Sequence, residues 1–123
     1  MVETIHFEIA LPEELAGALD GFEGSESHEP TPDLSRRLNL DPLSLTADIV
    51  TIVVGAGQLA ATAATIAKRL KDRYDRLPTQ PELVKVPVLG VSRDGELMIG
   101  RAVSEEELAK AIVYITRTNN VER

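Results

Sequence analysis

Residues Gly55-Ala56-Gly57-Gln58-Leu59-Ala60 follow a β-branched run, Ile49 to Val54, and match the fingerprint of a strand that turns into a helix around a pyrophosphate. Such a site also needs a second parallel strand ending in an acidic ribose ligand, and further strand–helix units to wall the crevice. Here a proline-containing linker and a valine-rich hairpin follow instead. The fingerprint alone therefore leaves nucleotide binding at the Gly55-Ala56-Gly57 turn as an alternative reading.

The other chemically capable residues are scattered. His6 and His28 lack acidic or thiol partners at ligand spacing, so no metal site is expected. Ser25, Ser27, His28 and Asp33 are the residue types of a hydrolytic triad, but they fall in a stretch that is not expected to hold nucleophile and base in register. Glu13-Glu14 and Glu105 to Glu107 sit in helix first turns, where complementing the helix dipole already accounts for them. No catalytic residue, cofactor or metal is expected.

Positioning any site depends on the elements. Thr4 to Leu11 alternates apolar and polar residues as a half-buried strand does. Pro12 opens a short helix with Leu15, Ala18 and Leu19 on its apolar face, ended by Gly21. Residues 21–33, GFEGSESHEPTPD, have the composition of a mobile acidic loop.

From Leu43 to Arg76, polar or glycine positions recur with 4,3 spacing: Ser44, Asp48, Thr51, Gly55, Gln58, Thr62, Thr65, Arg69, Asp72 and Arg76. Beside that stripe runs an apolar seam of Leu45, Ile49, Ile52, Ala56, Leu59, Ala63, Ile66 and Leu70. This spacing predicts one long central helix over 43–76. A third apolar row, Ala47, Val50, Val54, Ala61 and Ala64, gives that helix a second face to bury, which points to self-association through the seam.

After a linker at 77–82 with Pro78 and Pro81, residues 83–118 read as strand, hairpin and helix. Asp94-Gly95 is the hairpin signal, and Pro87 suggests an edge strand or a bulge. Ser104 with Glu107 forms a capping box, flanked by the Val103 and Leu108 staple. The whole is expected to be a single α+β domain: a short strand and helix, the long central helix, then a β-hairpin and C-terminal helix packed as a small sheet with helices.

Composition narrows the partners. The net charge of −7 opposes contact with nucleic acid or anionic lipid. Ten acidic residues in 1–43 face only Arg36 and Arg37, whereas Lys68 to Arg76 holds five basic residues and two Asp. Such complementary ends could steer one copy, or a partner, onto another. The absence of cysteine and of a signal-peptide pattern at the N-terminus points to the cytoplasm. Ile49 to Ala67 lacks formal charge, but its seven strongly apolar residues supply only roughly −2 to −4 kcal/mol of insertion energy, so a membrane span is disfavoured.

The order Ala47-Asp48-Ile49-Val50, Gly55-Ala56-Gly57-Gln58-Leu59, Lys68-Arg69-Leu70, then hairpin and short helix, resembles the small effector-associated constant component domains of bacterial NTPase-centred conflict systems. The tryptophan frequent near the end of the helix in that family is missing here. The resemblance implies an adaptor without an active site, which couples an NTPase to a separate effector such as a peptidase. Val88 to Ile115 is also similar to the periplasmic half of ExbD/TolR-type transport accessory proteins, without their membrane anchor in this sequence. The leading expectation is thus a non-enzymatic, self-associating adaptor, with a membrane-peripheral transport module or a nucleotide-binding domain as alternatives.

Overall fold

Alternation in the first strand, β1 (Thr4–Pro12), places Ile5, Phe7, Ile9 and Leu11 on one face, and all four are buried. The computed structural model describes residues 4–22, 25–28, 46–90 and 93–116. It is an α+β fold: a five-stranded antiparallel sheet in the order β2-β3-β1-β4-β5, with two helices. The remaining strands are β2 (Ser25–His28), β3 (Thr46–Gly55), β4 (Val84–Leu89) and β5 (Asp94–Ile99), and the helices are α1 (Leu59–Asp75) and α2 (Glu105–Thr116). Because β1 is antiparallel to both β3 and β4, those two run parallel with β1 between them, and α1 crosses over it.

The long helix expected over 43–76 is therefore two elements, a strand and a helix joined by the 3₁₀ turn Ala56–Gln58. Six successive β-branched residues, Ile49 to Val54, favour a strand over a helix. Strand alternation is masked because both faces bury apolar groups. Val50, Ile52 and Val54 enter the main core, while Ile49 joins Ala10 and Leu89 in a small cluster on the other face. The 4,3 spacing of Asp48, Thr51 and Gly55 coincides with a strand, positions 43–45 lie outside the described residues, and from Gln58 onward the spacing follows a real helix.

Three smaller expectations also change. Part of the loop expected at 21–33 is β2, which pairs with β3 from Ser25↔Ile52 to His28↔Ile49; positions 29–33 lie outside the described residues. A short edge strand gains its stability from backbone pairing, so its polar composition is no obstacle. The first helix is one 3₁₀ turn, Glu13–Leu15, followed by Gly17 and Gly21 at φ 82° and 74°. Leu15 and Leu19 are nevertheless buried as expected. Pro87 lies in interior strand β4; having no N–H to donate, it sits where pairing with β1 is confined to Glu8↔Leu89 and Ile9↔Val88.

Asp94-Gly95 is not the hairpin turn. Both residues begin β5, and the hairpin closes through the Gly90 N–H donating to the Arg93 carbonyl at 2.9 Å. Gly95 is glycine for another reason: a β-carbon there would lie 2.7 Å from Ile115 Cδ1, so its absence lets α2 approach the sheet. At Gly90 a β-carbon would run into the Ile115 carbonyl and lie 2.8 Å from that of Arg93.

The capping box at α2 is formed as expected: the Glu107 N–H donates to Ser104 Oγ, and the Ser104 N–H donates to Glu107 Oε1, both at 3.1 Å. Leu108, Ile112 and Ile115 then bury the inner face of α2. Along α1 the inner face is Leu59, Ala63, Ile66, Ala67, Leu70 and Tyr74. Full burial of a side chain the size of Ile66 or Leu70 contributes about 1.5–3 kcal/mol. The buried Tyr74 hydroxyl donates to the Pro81 carbonyl, which satisfies its polar end and ties down the linker.

Gly90→Ala is expected to destabilise the fold by about 1–3 kcal/mol through overpacking against backbone. Gly57→Ala, where a β-carbon meets nothing within 4 Å, is expected to be neutral or stabilising by up to about 1 kcal/mol. Urea unfolding of the two variants checks the contrast.

Candidate functional site

The apolar seam expected to join copies of the chain is divided by the strand-to-helix switch. Ile52, Leu59, Ala63, Ile66 and Leu70 all lie in the main core. Ile49 is buried in the small cluster on the opposite face of the sheet, and Leu45 lies outside the described residues. Of the seven that are described, Ala56 alone is exposed. The described part of the seam, Ala56 apart, is therefore an internal packing surface, and the surface that α1 itself offers to another molecule is its outer side.

Three cations at the basic end of α1 bond to backbone carbonyl groups of neighbouring segments. Arg73 donates to the Ala16 carbonyl at 2.6 Å and Arg69 to that of Asp20 at 3.0 Å, which strap the 13–22 segment to the helix. Lys71 donates to the Gly100 carbonyl at 2.6 Å and anchors the end of β5. Lys68 pairs with Asp72 and Lys71 with Asp75 along the helix surface. Arg69, Lys71 and Arg73 thus act as structural donors to backbone oxygens, while Lys68 and Arg76 stay exposed.

The first half of α1 presents a different surface. Its exposed residues, together with those of the preceding turn, are Ala56, Gly57, Gln58, Ala60, Ala61, Ala64 and Thr65. None carries a charge, and the first charged side chain of the helix is Lys68. This ridge of small residues is flanked by a cleft on each side.

One cleft, of about 340 Å³, is lined by Ala60 with Glu106, Ala109, Lys110, Val113 and Tyr114 of α2. Tyr114 is 66% exposed, with the Arg93 guanidinium 4.5 Å from its ring centroid. Glu106 and Lys110 form an ion pair at 3.4 Å across the rim. The other cleft, of about 600 Å³, runs between the end of β3 (Val53, Val54 and Gly55) and the polar stripe Gln58, Thr62, Thr65 and Arg69, with Phe22 at its end.

The stripe was legible in the sequence; the clefts beside it were not, because they depend on how α2 and the 13–22 segment pack against α1. Ala61 and Ala64 of the ridge belong to the third apolar row visible in the sequence, and Ala60 joins them on the exposed side of the helix.

The other candidate residues do not converge. His6 is exposed on the sheet face away from the helices, 3.5 Å from Thr4 Oγ1. The Ser25 hydroxyl donates to the Phe22 carbonyl, while Asp33 and the side chains of Ser27 and His28 are outside the described set. Among the described residues no three His, Asp or Glu side chains gather as a metal-ion set. Among them, too, no helix is long and apolar enough to cross a membrane.

Comparison of the chain with protein families, with curated proteins and with solved structures returns no match. Function must therefore be argued from the surface itself.

Because the seam is internal, Ile52→Asp and Leu59→Asp are each expected to abolish cooperative folding or to cost more than about 3 kcal/mol by burying an unpaired carboxylate. Ala56→Asp, on the exposed turn before α1, is expected to change stability by no more than about 0.5 kcal/mol. Circular dichroism and urea titration distinguish these outcomes.

Proposed function

We propose that the chain is a non-enzymatic adaptor that docks through the charge-free ridge of α1, first of all onto a second copy of itself. The observation that carries this reading is the run of exposed, uncharged residues from Ala56 to Thr65 in a chain of which 27% of residues are charged. Solvated helix faces of globular proteins normally carry charge, and patches that lack it mark contact sites. Ala60, Ala61 and Ala64 allow a partner helix to approach closely, since interaxial distance is set by the side chains at the contact. Tyr114 supplies an aromatic anchor beside the ridge, and Lys68, Glu106 and Lys110 supply a charged rim. The resemblance to conflict-system adaptors extends the proposal: an NTPase or a peptidase effector would be the protein coupled by such an assembly, in a bacterial cytoplasm.

Nucleotide binding is the second reading. It is favoured by the strand, glycine turn and helix that the chain does form around Gly55, Ala56 and Gly57. Against it, the strands bordering β3 are antiparallel to it, so no crevice opens between adjacent parallel strands at that turn.

Size-exclusion chromatography with light scattering at tens of micromolar is expected to give a dimer or larger assembly. Ala64→Glu, which places a charge on the ridge, is expected to give a monomer with unchanged thermal unfolding. A monomeric parent protein would overturn the self-association. Thermal unfolding with a dinucleotide is expected to show no shift, whereas true binding at 100 times Kd would add about 2.7 kcal/mol.

A further inference from the structure

Gln58, Thr62, Thr65 and Arg69 lie outside the core, and the cleft they line, which borders the ridge at Gln58, Ala61 and Thr65, differs in charge from the chain as a whole. The chain carries 20 acidic against 13 basic residues, yet among the described residues none that lines this cleft is acidic and the one ionised group is Arg69. Arg69 is held in place on two sides: its guanidinium lies 5.2 Å from the Phe22 ring centroid, and Nη1 donates to the Asp20 carbonyl at 3.0 Å. A guanidinium has five N–H donors, so this anchoring leaves donors available to a ligand. Thr65 has committed its hydroxyl hydrogen to the Ala61 carbonyl. Among the described residues, the side chains of Gln58 and Thr62 have no hydrogen-bond partner.

The dimensions select the shape of the occupant. Gln58 to Arg69 spans about 16 Å of helix at 1.5 Å per residue, the length of roughly five residues of extended chain. The opposite wall is itself extended strand, Val53 to Gly55. A single fixed guanidinium suits one carboxylate, which it can grip with two parallel hydrogen bonds. The net charge of −7 opposes a polyanion, and this disfavours nucleic acid and acidic tracts alike.

We propose that this cleft binds an extended segment of another protein that carries one carboxylate among uncharged residues. The carboxylate lies on Arg69, and carbonyl groups of the segment accept from Gln58 and Thr62. This site borders the self-association ridge at Gln58, Ala61 and Thr65 but is built around Arg69 and Thr62, with Ala60 and Ala64 outside its lining, and gives the adaptor a second, peptide-reading surface.

The test is fluorescence anisotropy with fluorescein-labelled six-residue peptides that place one Glu among Ala, Ser, Thr and Val at successive positions, against the same peptides with Gln. It is run on the parent protein and on Ala64→Glu. At least one Glu peptide is expected to bind both proteins alike, with its Gln counterpart about tenfold or more weaker. Arg69→Gln is expected to abolish the preference for Glu. Because Arg69 also straps the 13–22 segment, Thr62→Val serves as the second variant. It removes the free hydroxyl at an unstrapped position and is expected to weaken the Glu peptide at unchanged melting temperature. Absence of binding by every peptide, equal binding of Glu and Gln peptides, or full affinity in both variants would overturn the proposal. Binding lost in Ala64→Glu would overturn it too, since the occupant would then belong to the dimer contact; the light-scattering result stands or falls separately.

Discussion

Leu59, Ala63, Ile66, Leu70 and Tyr74 reach the sheet because the chain leaves β3 at Gly55 and enters α1 within three residues, and the rest of the helix layer is arranged around that reversal. The buried row of α1 shares one core with Ile5, Phe7 and Ile9 from the central strand and Val50, Ile52 and Val54 from its neighbour. The segment at 13–22 can then be strapped down by Arg69 and Arg73, and the end of β5 by Lys71. α2 closes the layer, seated by the missing β-carbons of Gly90 and Gly95. Each of these contacts requires α1 to be a separate helix and not the second half of a longer one.

That same constraint decides which surface is left over. Were 43–76 a single helix, its apolar seam would project beyond the domain and invite a partner along Ile52 and Leu59. With β3 in the sheet, those side chains are enclosed by their own chain. What faces outward is a turn and a half-helix of alanine, glycine, glutamine and threonine. A surface of that kind gains little from isolated salt bridges and little from large apolar pockets. Its value lies in close approach, with discrimination supplied by its flanks: Tyr114 on one side, Arg69 on the other.

Local signals in the sequence were sound where both partners of an interaction lie within a few residues. Ser104 and Glu107 cap the helix as their spacing demands, and the alternation of β1 appears as buried and exposed faces. Signals that depend on tertiary surroundings misled. The run from Ile49 to Val54 is β-branched on both faces, although Val53 is exposed, so its period of two is hidden in the residue types, and polar positions at 48, 51 and 55 happen to match the helical spacing that begins in earnest at Gln58. Gly95 likewise reads as a turn residue, although its role is to make room for Ile115. Of the candidate site, the polar stripe and the ridge residues Ala61 and Ala64 could be read in advance; the two clefts could not, because they exist only once α2 and Phe22 are packed beside α1.

Alanine methyl groups report most directly on this division of α1 into a buried and a contacting face. In spectra of the protein labelled at alanine methyls, recorded across a concentration series, the signals of Ala60, Ala61 and Ala64 should shift as the protein associates, while those of the buried Ala63 and Ala67 stay fixed. Shifts centred on Ala63 and Ala67, or association with the ridge methyls unmoved, would contradict the account.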